Sequence, residues 1–242
     1  DSHLDGGDGS WTTPIGWPPA LPSAPFLAYR AIATDADNDD DIDLTVAILF
    51  QSGAGAGFNN GVIRYVNNGA QPPSWTVITL EAPDGADPGD TPSSLVGADM
   101  DNDGTVETLH LDNDTLENTQ ARFTVIDTAV ISKYDTFTVA SDYIRQTGCR
   151  LAVADIDQDG WKDTVTIVDY AGDQRLSWHE APGSWPQPSG PAQGSFVRRP
   201  IVNEGMDRTS DLLAEDLSGD GYPEVIRTTA TDLPFALTVF QS

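Results

Sequence analysis

The 242-residue sequence predicts an all-β fold made of four copies of a four-stranded unit. Three observations lead there. A nine-residue acidic stretch occurs four times: DADNDDDID at 35–43, DMDNDGTVE at 99–107, DIDQDGWKD at 155–163 and DLSGDGYPE at 216–224. Short apolar, β-branched runs flank it, such as Leu95–Ala98 and Leu151–Ala154 ahead, and Leu44–Ile48 and Thr164–Val168 behind. The copies start at 35, 99, 155 and 216, and the intervals of 64, 56 and 61 residues each leave room for four strands.

Within the stretch, oxygen-bearing side chains fall at positions 1, 3, 5 and 9. They are Asp35, Asp37, Asp39 and Asp43; Asp99, Asp101, Asp103 and Glu107; Asp155, Asp157, Asp159 and Asp163; Asp216, Ser218, Asp220 and Glu224. Position 6 is glycine in three copies and Asp40 in the first, a loop expected to be strained for that reason. Carboxylates at alternate positions of a tight turn converge and repel. A hard cation relieves the repulsion, and an oxygen-only donor set favours calcium. The backbone carbonyl at position 7 (Asp41, Thr105, Trp161 or Tyr222) can add a ligand. Up to four Ca²⁺ ions are therefore expected, the third site strongest and the fourth, with Ser218, weakest. The helical calcium hand is excluded. Its closing acid at position 12 is replaced by Val46, His110, Thr166 and Arg227, and the flanks read as strands.

Residues 1–27 form a Pro/Gly-rich segment, and its prolines oppose a helix or a central strand. Inside it, Trp11–Ile15 resembles the later run Trp75–Leu80. The repetitive domain spans 28–242. Its first unit, about 28–82, has strands at Ala31–Ala33, Leu44–Phe50, Val62–Val66 and Trp75–Leu80, with Ser52–Gly61 as a hairpin connection and Asn67-Asn68-Gly69 as a turn. The second, about 92–140, has Leu95–Ala98, Thr108–Leu111, Arg122–Asp127 and Thr136–Ala140. The third, about 148–202, has Leu151–Ala154, Thr164–Asp169, Leu176–Glu180 and Phe196–Val202, with a Pro-rich insertion at Ala181–Gly194. The fourth, about 210–242, has Leu212–Ala214, Val225–Thr229 and Leu237–Phe240, three strands where the others have four. Trp11–Ile15 is expected to complete it.

Radially arranged four-stranded units make a β-propeller. Small residues on each first strand (Ala31, Ala33, Gly97, Ala98, Ala152, Ala154, Ala214) suit a crowded axis. Tyr65, Trp75, Trp178 and Phe196 fall on later strands as core between units. The loops and their strands resemble the FG-GAP/VCBS-type repeats of integrin α-subunit propellers and of many secreted microbial proteins. So do Ile63–Gly69 followed by Trp75, and Leu176–Glu180 followed by Phe196. The resemblance covers roughly 28–242 and implies calcium at the loop positions named above. Asp40 and Ser218 depart from the pattern.

Formal net charge is −26, and 15 of the 38 acids occupy proposed ligand positions. Four Ca²⁺ ions would still leave it at −18, which argues against nucleic acid and anionic membranes as partners. No apolar run reaches the roughly 20 residues that span a bilayer. The single cysteine, Cys149, excludes an intrachain disulfide framework and is expected to be buried. Millimolar calcium outside cells suits weak sites, so the expected location is extracellular, secreted or at the cell surface. His3, His110 and His179 are too scattered for a catalytic set, and the latter two read as half-exposed strand residues. The expected function is non-enzymatic: protein interaction, adhesion or assembly of an extracellular structure, through a protein partner or self-assembly. The alternative is a calcium-dependent, lectin-like module in which Trp17, Trp161 and Trp185 stack on glycans. A polysaccharide lyase is the remaining route that the resemblance implies.

Overall fold

The computed structural model describes residues 26–51, 58–70, 74–81, 94–113, 120–127, 130–138, 149–170, 173–182, 196–206, 209–229 and 236–240. Among them there are fifteen strands and no helix. The first sheet holds β1 (Phe26–Thr34), β2 (Asp43–Gln51), β3 (Phe58–Asn67) and β4 (Trp75–Glu81). The second holds β5 (Ser94–Ala98), β6 (Glu107–Asn113), β7 (Gln120–Asp127) and β8 (Val130–Thr138). The third holds β9 (Arg150–Ala154), β10 (Asp163–Tyr170), β11 (Asp173–Glu180) and β12 (Val197–Met206). The fourth holds β13 (Thr209–Glu215), β14 (Glu224–Thr229) and β15 (Ala236–Phe240). Each sheet runs in sequence order with antiparallel neighbours, and each acidic stretch joins its first two strands.

The sheets stack face to face in chain order. β1 lies beside β5, β5 beside β9, and β9 beside β13. Between the first two sheets sit Val62, Leu80 and Ile126. A Cβ on Gly97 would lie 3.0 Å from Thr34 Cγ2 and 3.1 Å from Ile32 Cδ1 on the first sheet, so the side chains of β1 leave it little room. Between the second and third sheets lies a core of Leu109, Leu111, Phe123, Val125, Leu151 and Val168, joined by the buried Cys149. Phe196 meets Phe123 edge to face at 5.1 Å. Between the third and fourth lie Ala152, Val165, Ile167, Leu176, Leu212 and Val225, with Trp178 against them. Tyr65 is buried with Val46, Ile48 and Ile63 in a fourth cluster.

Stacking on both faces changes how the histidines sit. His110 and His179 are fully buried rather than half exposed, at 0% and 1%. In a one-sided sheet the alternate residues face water, but here the next sheet covers them. His110 Nε2 lies 2.9 Å from Glu81 Oε2, a contact between the first two sheets. His179 Nε2 is 3.0 Å from Thr166 Oγ1, and its ring meets Phe123 edge-on. Burial, with the Arg198 charge adding, pushes its pKa down to about 3.

Several boundaries also differ from the sequence reading. β3 begins at Phe58, inside the expected Ser52–Gly61 connection, because Phe58 to Gly61 continue the pairing with β2. β8 spans Val130–Thr138 rather than Thr136–Ala140. It pairs antiparallel with β7, with Asp127 opposite Val130. β1 and β12 are longer than expected. Ala31 and Ala33 are exposed, so the crowding expected on every first strand does not extend to that face of β1. Trp161 is half-buried rather than exposed. The expectations for Trp11–Ile15, Trp17, Trp185 and most of the Ala181–Gly194 insertion fall outside the described residues. Among the described residues, no helix is long and apolar enough to cross a membrane.

Candidate metal centres

The four acidic stretches fold into the same strand–loop–strand turn, and the backbone explains why these residues recur. Two positions in each loop take positive φ. Position 6 is glycine at 104, 160 and 221, with φ of 93°, 92° and 95°. The first loop substitutes Asp40 at φ 69°, nearer the left-handed well that aspartate tolerates. Position 4 is Asn38, Asn102, Gln158 and Gly219, with φ of 60°, 60°, 61° and 75°.

Acidic side chains hold each turn by accepting backbone N–H groups. At position 1, Asp35, Asp99, Asp155 and Asp216 each accept from the N–H of position 6 through Oδ2, at 3.1, 3.1, 3.0 and 2.8 Å. At position 3, Asp101, Asp157 and Ser218 accept from position 5. At position 5, Asp39, Asp103, Asp159 and Asp220 accept from the N–H of Asp41, Thr105, Trp161 and Tyr222, at 3.0, 2.8, 2.8 and 2.9 Å. The Thr105 hydroxyl also donates to Asp103, which holds that carboxyl below its ordinary range.

Position 9 is where the loop closes. Its acids are buried: Asp43, Glu107, Asp163 and Glu224 are 0%, 1%, 1% and 4% exposed. Each accepts the N–H of position 2, from Ala36, Met100, Ile156 and Leu217. Asp43 and Asp163 use the second oxygen to hold the far hairpin, through Asn67 N–H at 2.8 Å and Ala181 N–H at 2.7 Å. This double role was not legible as such, because the sequence presents position 9 only as one more acid.

The side chains do converge. Carboxylate oxygens lie within 4.8 Å of one another in three groups: Asp35, Asp37 and Asp39; Asp99, Asp101 and Glu107; Asp155, Asp157 and Asp163. Position 5 joins the group only in the first loop, and position 9 only in the second and third. The fourth loop forms no such group among the described residues, in line with Ser218 supplying a hydroxyl where the others have an acid.

The electrostatics of the second and third loops ask for a positive charge. Burial carries the pKa of Glu107 up to about 8 and that of Asp163 up to about 7, although backbone N–H bonds oppose it. Burial first, and then neighbouring aspartates, raise Asp37, Asp101 and Asp157 as well. In the first and fourth loops, both oxygens of the position-1 aspartate accept N–H groups. In the second and third, Asp99 Oδ1 and Asp155 Oδ1 are buried without a hydrogen-bond partner. A buried carboxylate oxygen lacking both water and a donor is costly unless something positive meets it. The donor set fits a hard divalent cation, since every member is an oxygen and carboxylate oxygens carry lone pairs that their N–H bonds do not use up.

Neighbouring loops touch. Val106 N–H donates to Ala36 O at 3.3 Å, linking the first two loops. Arg64, buried at 4%, reaches from β3 to Val106 O and Thr108 Oγ1, each at 3.0 Å. Asn102 Nδ2 donates to Gly160 O at 2.9 Å, from the second loop to the third. A groove of about 550 Å³ separates the third and fourth loops, with Asp155, Gln158, Lys162, Asp216 and Gly221 along it. Comparisons of the chain with protein-family models, with curated proteins and with solved structures give no match in any of the three.

Proposed function

We propose that the protein is an extracellular calcium-binding β-propeller module that acts in protein interaction, adhesion or assembly of an extracellular structure. One observation carries the metal reading: in two of the converging acid groups, a buried oxygen (Asp99 Oδ1, Asp155 Oδ1) has no hydrogen-bond partner. Asp99, Asp101 and Glu107 would hold one ion, and Asp155, Asp157 and Asp163 another, with the carbonyls of Thr105 and Trp161 as further donors. Asp35, Asp37 and Asp39 would hold a third. The fourth loop would bind most weakly. Calcium would supply the positive charge that lets these acids ionise together.

The four sheets stacked in chain order support reading them as propeller blades. β15 pairs with β14 alone among the described strands. The net charge of −26 supports partners other than nucleic acid and anionic membranes.

Thermal unfolding in calcium, in magnesium and in chelator tests the metal reading. A ligand bound only by the folded state adds about 2.7 kcal/mol per site at a free concentration 100 times its Kd. The melting temperature should therefore rise in calcium and fall in chelator. Superimposable curves would refute the assignment.

A further inference from the structure

The position-4 side chains form a second pattern, independent of the acids. Asn102 Nδ2 donates to the carbonyl of Gly160, position 6 of the next loop. Gln158 Nε2 lies 2.9 Å from where a Cβ on Gly221 would stand, again position 6 of the next loop. Asn38 Nδ2 lies 3.5 Å from the corresponding point on Gly104. Each of the first three loops thus lays an amide against the position-6 glycine of its successor. The two ends of the row are exchanged in size. The last loop has Gly219 at position 4 and no side chain to extend. The first loop keeps a side chain at position 6, Asp40.

The Gly160–Trp161 peptide shows what the contact does. Its carbonyl is held by Asn102 of the second loop, and its N–H by Asp159 of its own loop at 2.8 Å. The orientation of this peptide sets both the position-5 carboxylate and the position-7 residue of the third loop. Whatever orders the second loop therefore orders part of the third.

We propose that Asn38, Asn102 and Gln158 couple neighbouring metal loops, so that an ion in one loop raises the affinity of the next. This rests on the metal reading above. Coupling of this kind is reciprocal. One exposed hydrogen bond supports a change of about two- to fivefold in affinity per link.

A thermodynamic cycle on the full chain tests this, with Ca²⁺ as the probe and calorimetry and terbium luminescence as readouts. The second loop is disabled by Asp101→Ala, and the link is removed by Asn102→Gly. Glycine is chosen because it keeps the positive φ and is the residue already present at Gly219. With Asn102 present, Asp101→Ala should weaken the third site by about two- to fivefold. In the Asn102→Gly background it should leave that site unchanged. Equal effects in the two backgrounds would overturn the link.

Hydrogen exchange of the Trp161 amide in metal-free protein provides a readout that needs no ion. Asn102→Gly should speed it severalfold. Unchanged exchange with calcium binding intact refutes the link alone. Loss of calcium binding in every variant, the parent included, refutes the metal reading and the coupling with it.

Discussion

Replacing Glu107 by glutamine should stabilise the protein without calcium and destabilise it with calcium. Glu107 is 1% exposed, and its Oε2 accepts the Met100 N–H at 2.6 Å. Burial lifts its pKa from an ordinary 4.5 to about 8, and Asp101, Asp127 and Asp103 add to the effect. Without metal, the folded state holds a proton that the unfolded chain has released. The contribution of this group is thus fully present below about pH 4.5 and is lost as pH rises toward 8. At pH 7, some 2.5 pH units above the unfolded value, about 1.36 kcal/mol for each gives a cost of roughly 3 kcal/mol. Glutamine has no proton to take up and keeps an oxygen for Met100. In chelator at pH 7, Glu107→Gln should therefore gain about 2–3 kcal/mol over the parent, and at pH 4.5 nearly nothing. In calcium the order should invert, because a charged ligand has gone. Urea unfolding at both pH values, with calcium and with chelator, measures all four differences. A variant destabilised equally in chelator and in calcium at pH 7 would refute the reasoning, since the buried charge would then not be the cost it is taken to be.

Three further outcomes are expected. Gly221→Ala should lose about 1–3 kcal/mol in urea unfolding, more than Gly160→Ala. Both glycines have φ above 90°, but only at Gly221 would the new Cβ meet a neighbour, Gln158 Nε2 at 2.9 Å. His179, whose pKa is lowered to about 3, contributes stability that is present above pH 6.5 and lost as pH falls toward 3. Between pH 7 and 5 the parent should lose about 2 kcal/mol that His179→Gln does not, and the difference in urea midpoints reads this directly. Asp157→Ala should lose one bound ion by metal counting and destabilise more than Ser218→Ala, and the reverse order would show the ranking of sites to be wrong.

The strand–loop–strand unit was legible because position 6 and the alternating acids obey rules that one residue at a time can express. Gly104, Gly160 and Gly221 are needed at φ values that other residues resist, and such positions leave a mark in composition. Position 4 left a fainter mark: Asn and Gly suit its positive φ, whereas Gln158 adopts it without such a preference. The burial of His110 and His179 was not legible. Alternation along a strand tells which residues share a face, but not whether a second sheet covers the polar one. The closing role of position 9 was hidden for a related reason. Asp43 binds Asn67 and Asp163 binds Ala181 across a hairpin, so the reason for an acid there lies 24 and 18 residues away. The start of β8 was missed because the sequence between Asp127 and Val130 carries neither glycine nor asparagine, the residues that signal a hairpin.

The stack of sheets has a consequence for how damage spreads. Each of the three core clusters between sheets belongs to one pair of neighbours, so the energetics approach those of a one-dimensional row with nearest-neighbour terms. A lesion at Leu176 should loosen the third and fourth sheets and leave the Val62–Ile126 contact intact. Among the described residues, the inner sheets are gripped from two sides and the fourth from one. Leu213 and Val239, on the face of the fourth sheet turned away from the third, are 47% and 45% exposed. Fraying should therefore begin at that end and travel inward one sheet at a time. Hydrogen exchange would register it as a gradient of protection that falls from β10 through β14 to β15.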